Sequence, residues 1–285
     1  MNEIYIKARA KINLTLNILN KRLDGYHNLE SVFQKINLYD EIYIEKTNSD
    51  QLYLACNSIE FENQNNIIHK VYDSLKEKYP NISGIKVTLI KHIPSGAGLG
   101  GGSTDAASFL TAMNKLFNLN CSESSLIEIG KTLGADVPPC LHTGSLFAQG
   151  IGEIITNIDQ NLEYYIVLVK PDISFSTKLM FLEIDNKADI NQKYNSKNMI
   201  KALETGDINL LSYNLYNVFE ELFDENSEIK YIKKLLTQNG AINSLMTGSG
   251  SCVFGIFNDK ESSKIAYHKI KNQYETYWCI PYNRG

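Results

Sequence analysis

Pro94-Ser95-Gly96-Ala97-Gly98-Leu99-Gly100-Gly101-Gly102-Ser103 is the stretch of this chain whose composition points most directly to chemistry. Closely spaced glycines let a backbone turn tightly and aim successive N–H groups inward. A helix beginning there adds the partial positive charge of its N-terminus, and the combination suits phosphate oxygens. Two familiar loops fit only in part. Gly96 and Gly101 have the GxxxxG spacing of a Walker loop, but Gly102 stands where its lysine belongs. Gly96-x-Gly98-x-x-Gly101 spells the dinucleotide fingerprint, which also needs a βαβ unit and an acidic residue about twenty positions on. Glu123 is near that distance, at a helix start rather than a strand end. A plain flexible turn is the remaining alternative.

Phosphoryl transfer is catalysed by positioning and charge stabilisation, so a loop without its lysine needs a cation from elsewhere. Lys11 is a candidate, on the polar side of a strand with Arg9 and Asn13; such a lysine is otherwise a solvated charge. Asp136, between Gly134-Ala135 and Val137-Pro138-Pro139, is expected to be partly sheltered. It would accept a proton from a substrate hydroxyl or orient it, or else simply cap the turn. Thr247-Gly248-Ser249-Gly250-Ser251 is a second small-residue loop, and the pair suggests a ligand held between two domains. Tyr26 and His27, after the turn Asp24-Gly25, suit stacking on and hydrogen bonding to a planar base, or merely end a hairpin.

Elements must hold these residues in place. Every even position from Ile4 to Ile18 is apolar, which predicts a long strand with one buried and one polar face. Asp40 to Lys46 alternates again. Ile67, Ile68, Val71, Leu75 and Tyr79 predict a helix over 66–79, stopped by Pro80. Ile85, Val87 and Leu89 mark a strand. Ser103 or Thr104 is expected to N-cap the helix that follows the glycine loop, with Asp105 in its first turn. A helix over 122–133 ends at Gly134. The polar stretch 151–162 reads as a domain boundary. Beyond it come a strand at 165–169, helices near 196–204, 207–223 and 226–238, a strand at 252–257, a helix after Lys260 and a strand near 277–281. This mixture indicates α+β.

With 285 residues, the chain has room for two modest domains. A net charge of −4, from 28 Lys+Arg against 32 Asp+Glu, argues against a general nucleic-acid binder. Five scattered cysteines never form CxxC, and five histidines form no HxxxH, so neither a disulfide framework nor a zinc site is indicated. The longest apolar run, Tyr164 to Val169, is six residues. Spanning a bilayer takes about 20. A soluble, cytoplasmic protein without a signal peptide is expected.

Taken together and in order, Ala10-Lys11-Ile12-Asn13-Leu14, Asp24-Gly25-Tyr26-His27, Pro94 to Ser103, Gly134-Ala135-Asp136-Val137-Pro138 and Thr247-Gly248-Ser249-Gly250 resemble the GHMP kinase superfamily. Its hallmark loop is Pro-x-x-x-Gly-Leu-Gly-x-x-Ser. The resemblance implies a two-domain α+β fold, ribosomal-S5-like over 1–156 and ferredoxin-like over 157–285. It implies a monomeric or weakly dimeric kinase using ATP and Mg²⁺. The match is closer still to a member acting on the 2-hydroxyl of 4-diphosphocytidyl-2-C-methyl-D-erythritol.

Roles follow by resemblance. Asp136 would orient the acceptor hydroxyl or take its proton, with Lys11 beside it holding it ionised. Asn13 and Thr177 would contact the acceptor. Tyr26 and His27 would grip its cytosine, with Phe181 as the opposite stacking face. Pro94, Gly96, Gly98, Leu99, Gly100, Gly101, Gly102, Ser103 and Thr104 would cradle the ATP phosphates, with Asn66 and Lys91 near the adenosine. Gly248, Ser249, Gly250 and Ser251 would close on the acceptor's phosphates, and Ser103 or Thr104 would help hold Mg²⁺. Two departures stand out: Leu182, where relatives often carry a basic residue, and Thr104, where serine is commoner. Homoserine or mevalonate kinases are the rivals within the superfamily, and Asp24-Gly25-Tyr26-His27 weighs against them, because their acceptors carry no base. A nicotinamide-dependent oxidoreductase and a nucleic-acid-binding module are the rivals outside it.

Overall fold

Period-2 alternation carries the first strand beyond its expected limits, to Glu3–Lys21, and the second spans His27–Lys46. The computed structural model describes residues 1–63, 65–187 and 193–283. Both long strands contribute to two compact units. One consists of Met1–Ala10, Leu38–Ile93 and Gly100–His142, the other of Lys11–Asn37, Pro94–Leu99 and Thr143–Gly285.

In the first unit, strand Leu52–Cys56 runs parallel to Ile85–Ile90, which pairs antiparallel with Glu41 to Lys46. A parallel pair needs a crossover, here containing helix Ile67–Lys78. Ile42, Ile44, Val87 and Leu89 share a core with Ile68, Val71 and Leu75 of that helix and with Phe109, Leu110, Met113 and Leu116. Burying each such side chain stabilises by about 1.5–3 kcal/mol. The last four lie on helix Gly101–Leu116, which follows the glycine loop. Its start differs from expectation. Gly100, at φ 69°, is the cap, so Ser103 and Thr104 lie within the first turns. The reason is local: a left-handed glycine places its carbonyl to accept from the Thr104 amide at 2.8 Å, and the helix begins earlier. Helix Glu123–Leu133, capped by Ser122 and stopped at Gly134, matches expectation.

In the second unit, four antiparallel strands lie in the order Glu275–Cys279, Tyr165–Lys170, Val253–Phe257, Asn243–Met246. In chain order this is 4-1-3-2. With crossover helices Glu228–Gln238 and Lys260–Ile270, it is a ferredoxin-like βαββαβ arrangement. Val167, Val169, Val253 and Phe257 pack with Ile229, Ile232, Leu236, Ala266 and Ile270.

One expectation needs correction here, and several elements were not foreseen. The stretch 151–162 contains strand Ile154–Ile158, hairpin partner of Ser145–Gly150, which in turn pairs with Leu29 to Gln34. Segment 207–223 is not one helix. It is helix Ile208–Tyr213, a short strand Tyr216–Asn217 parallel to Thr15-Leu16, and a 3₁₀ turn Val218–Leu222. Asn217 breaks it, because its side chain accepts from the Phe219 amide and starts a new turn. Helix Thr177–Asn186 and strand Asn243–Met246 were not foreseen. No helix among the described residues is long and apolar enough to cross a membrane.

Candidate active site

From Lys11 to Asn17 the polar side of the first strand is buried. Within the second unit Lys11 is 4% exposed, Asn13 2% and Thr15 0%. Polar groups buried this deeply need partners. The Lys11 ammonium donates to Asn13 Oδ1 at 2.8 Å and to the Gly98 carbonyl at 3.1 Å. Asn13 Nδ2 donates to Ser31 Oγ at 2.8 Å, and the Asn13 amide donates to Thr247 Oγ1 at 3.0 Å. The Phe33 ring lies 5.2 Å from the Lys11 ammonium, within cation–π reach.

Here the two small-residue loops interlock. Gly98 has φ +73°, and a Cβ there would stand 2.0 Å from the Thr247 carbonyl oxygen. Gly248 has φ +56°, and its Cβ would stand 2.8 Å from the Gly98 oxygen. Only glycine satisfies both the left-handed backbone and the close approach. Backbone bonds tie the loops further: Cys252 donates to Ala97 at 3.2 Å, and Lys11 to Leu99 at 3.1 Å. Asn217, which the sequence did not single out, sends Nδ2 to the carbonyls of Met246 (2.7 Å) and Gly248 (2.8 Å), fixing the second loop from beneath. Ser249 Oγ lies 2.8 Å from Thr177 Oγ1.

A second cluster in the same unit surrounds the Asp24-Gly25 turn. Tyr26 is 56% exposed, whereas His27 is 8% exposed. Phe181 stacks on the His27 ring, centroids 4.9 Å apart and planes 18° apart, and meets Phe219 edge-on. The partner of Phe181 is therefore His27. Asp185, four residues along the same helix, lies 2.7 Å from His27 Nε2 through Oδ1 and 2.6 Å from Lys21 Nζ through Oδ2. The Lys21 hydrogen bond, against partial desolvation and with help from His27, holds the Asp185 carboxyl below the usual carboxylate range. Leu182 is 44% exposed.

In the first unit, Ser103 is half-buried and Thr104 is 1% exposed. The Thr104 hydroxyl donates to the Arg9 carbonyl at 2.6 Å. A Cβ on Gly102 would meet nothing within 4 Å, so the helix start is open on that side. Lys91 is clasped by Asp40 and by Asp105, the latter at 2.6 Å. Asp40 also accepts from the amides of His92 and Ile93. Burial pushes the Asp105 carboxyl up to about 8, against the pull of Lys91. For Lys91, burial opposes the charge, but the two carboxylates outweigh it and raise its value. Asn66 caps helix Ile67–Lys78 by accepting from the Ile68 amide at 3.0 Å, and its Nδ2 donates to the Phe61 carbonyl at 2.8 Å. Asp136 departs from expectation: it is exposed, although Val137, Pro138, Pro139 and Cys140 after it are buried. The apolar residues fold inward as a short helix, and Asp136 stands at the surface just before it. It makes no capping bond to that helix.

Left-handed Gly100 opens a sixteen-residue helix whose first turn is uncovered at Gly102, a start with the chemistry to hold an anion. Of the two hydroxyls considered for a metal, Thr104 is engaged with the backbone, which favours Ser103.

The chain matches two sequence families, described as GHMP kinases N terminal domain over residues 66–144 and GHMP kinases C terminal over residues 199–276. The class is thus a GHMP kinase, with ribosomal-S5-like and ferredoxin-like parts. Among its relatives, 4-diphosphocytidyl-2-C-methyl-D-erythritol kinase of Acetivibrio thermocellus is 39% identical over 95% of this chain and 96% of that one. The Clostridioides difficile protein of the same name is 37% identical over 98% and 95%. A crystal structure of 4-(cytidine 5'-diphospho)-2C-methyl-D-erythritol kinase superposes with a TM-score of 0.85 at 26% identity, covering 99% of this chain and 100% of that one. Homoserine kinase from Cytophaga hutchinsonii shares the fold, with a TM-score of 0.80 at 17% identity over 100% and 96%. The chain belongs to the 4-diphosphocytidyl-2-C-methyl-D-erythritol kinase family.

Proposed function

We propose that the chain transfers a phosphoryl group from ATP to the 2-hydroxyl of 4-diphosphocytidyl-2-C-methyl-D-erythritol, giving the 2-phosphate and ADP. The observation that carries this is the near full-length identity with kinases of that name. The buried Lys11–Asn13–Gly98–Thr247 cluster supports it, because it couples a cation to the glycine loop. Homoserine and mevalonate kinases share the fold, but the Tyr26–His27–Phe181 group favours an acceptor that carries a base. Neither the oxidoreductase nor the nucleic-acid reading gains support from the relatives.

In this reading Pro94 to Ser103 wraps the ATP phosphates with backbone N–H groups and the helix start. Lys11 stabilises the charge that develops on the transferring group, at a site where it needs no reorganisation. Asp136 orients the acceptor hydroxyl and receives its proton late, as a loose transition state allows. Asn13 and Thr177 contact the acceptor, and Gly248 to Ser251 its phosphates. Asn66 and Lys91 serve the adenosine end indirectly, by setting a helix start and a buried ion cluster. Ser103 would help hold Mg²⁺, which would supply charge neutralisation at the phosphates. The sequence domains divide at 156/157. The enzyme works in the cytoplasm as a monomer or weak homodimer, with no nucleic-acid or membrane partner.

ADP release with Mg-ATP and a panel of the cytidylated acceptor, mevalonate, homoserine and galactose tests the reading. Turnover confined to the cytidylated acceptor is expected; turnover with another acceptor instead would overturn the substrate. Asp136→Ala should lower kcat by about 10³-fold or more while ATP binding persists, and near-wild-type turnover would remove Asp136 from the chemistry.

A further inference from the structure

Asp185 occupies an awkward place for a carboxylate. It is the penultimate residue of helix Thr177–Asn186, whose last turn holds no basic residue. The negative end of a helix dipole disfavours an acid there. What holds it lies outside the helix: Lys21 Nζ at 2.6 Å on one oxygen, His27 Nε2 at 2.7 Å on the other. The carboxyl is kept ionised by these partners, Lys21 first.

An ionised carboxylate only accepts hydrogen bonds, so His27 Nε2 must carry its proton toward Asp185. In the Nε2–H tautomer the ring has a lone pair at Nδ1. The ring cannot readily turn over, because its side chain is 7% exposed and Phe181 is stacked on it at 4.9 Å. Among the described residues, the Asp185 contact is the hydrogen bond of this ring.

We propose that Asp185 is a positioning residue that fixes His27 as the Nε2–H tautomer. Nδ1 then presents an acceptor to the exocyclic amino group of cytosine and rejects uracil, which carries a carbonyl oxygen at that position. This rests on the cytidylated acceptor proposed above. The two bases differ on that edge by donor against acceptor, so the tautomer decides which is read.

Calorimetric titration of the full chain with CDP and with UDP, in one buffer throughout, tests it. The unaltered chain should bind CDP at least about tenfold more tightly than UDP, the order expected for one paired rather than opposed hydrogen bond. In Asp185→Asn, Lys21 still donates to the amide oxygen, which turns the NH₂ toward His27. Nε2 becomes the acceptor and Nδ1 the donor, so the CDP preference should collapse or invert. Lys21→Met leaves the carboxylate on His27 and should retain the preference. Asp185→Ala leaves the tautomer unset and should lower the ratio part-way, which keeps the idea testable should Asp185→Asn fold poorly. An unchanged ratio in both Asp185 variants, or loss of it in Lys21→Met, overturns the tautomer assignment alone. If the unaltered chain shows no CDP preference and no turnover of the cytidylated acceptor, the proposed substrate falls, and this inference with it.

Discussion

Gly98→Ala and Gly102→Ala are the same chemical change at two glycines four residues apart, and the structure assigns them opposite effects on stability. At position 98 an alanine must adopt a left-handed backbone, at roughly 1–2 kcal/mol. Its methyl would also sit 2.0 Å from the Thr247 carbonyl oxygen, where real Cβ contacts do not fall below 3.0 Å. The loops must separate by about 1 Å, which breaks the bonds of the Gly98 carbonyl to Lys11 Nζ (3.1 Å) and Thr247 Oγ1 (3.3 Å). A neutral bond contributes about 1 kcal/mol and one to a buried charge about 1.5–3. The total is about 3.5–6 kcal/mol, a large share of the roughly 5–15 kcal/mol that holds a domain together. At position 102 the backbone is helical and the added methyl meets open space. Replacing a helical glycine there should stabilise by about 0.5–1 kcal/mol. If phosphates lie against that backbone, the methyl should still raise KM for ATP about tenfold or more. Urea unfolding and ADP-release kinetics on both variants check this. A Gly98→Ala chain as stable as the parent would refute the interlocked-loop argument. A Gly102→Ala chain with unchanged KM would remove the phosphates from the helix start.

Other expectations follow from the same geometry. Asn217→Ala leaves the buried carbonyls of Met246 and Gly248 without their donor, and should cost about 2–4 kcal/mol in urea unfolding with an unchanged m-value; a loss below about 1 kcal/mol would mean that the second loop is held otherwise. Asp105 has its folded value raised from 3.8 to about 8, so between those limits the folded chain keeps a proton that the unfolded chain has released. Its contribution therefore falls as pH rises through that window, by at most about 1.4 kcal/mol per unit, and levels off above it. Asp105→Asn should flatten the decline of Tm with pH, and an unaltered slope would contradict the assignment. Chelating divalent metal should abolish ADP release, and turnover that persists in chelator would remove the metal from the reaction.

What could be read in advance depended on how local its physics was. Apolar periodicity gave the first strand and helices Ile67–Lys78 and Glu123–Leu133, because each is set by its own spacing and stops. The burial of Lys11 and Asn13 was out of reach, since it depends on Ser31 and Thr247, far away in sequence. Asn217 looks like any polar residue in a helical stretch; its role appears only with Met246 and Gly248 in place. The cap of the glycine-loop helix differs from the sequence pattern because hydroxyl side chains are the usual signal, and here a left-handed glycine takes that position. Helix Thr177–Asn186 leaves little trace in the sequence: Met180 and Ile184 are its buried pair, too few for a clear period. Asp185 is hidden with it.

The interleaving of the two units matters during synthesis. The first unit has all its residues once His142 has been made, but Lys11–Asn37, already on hand, belong to the other. Their neighbours Tyr216 and Thr247 lie about a hundred residues further on. At roughly 5–20 residues per second, the first strand waits on the order of 5–20 s with Leu16 and Ile18 uncovered, because their core partners include Tyr216, Val218 and Met246. The nascent chain therefore passes through an interval in which a sticky, half-clothed strand hangs from a finished fold. That interval is the natural point for a ribosome-associated chaperone to act, and the point at which slow codons between 143 and 247 would do the most harm.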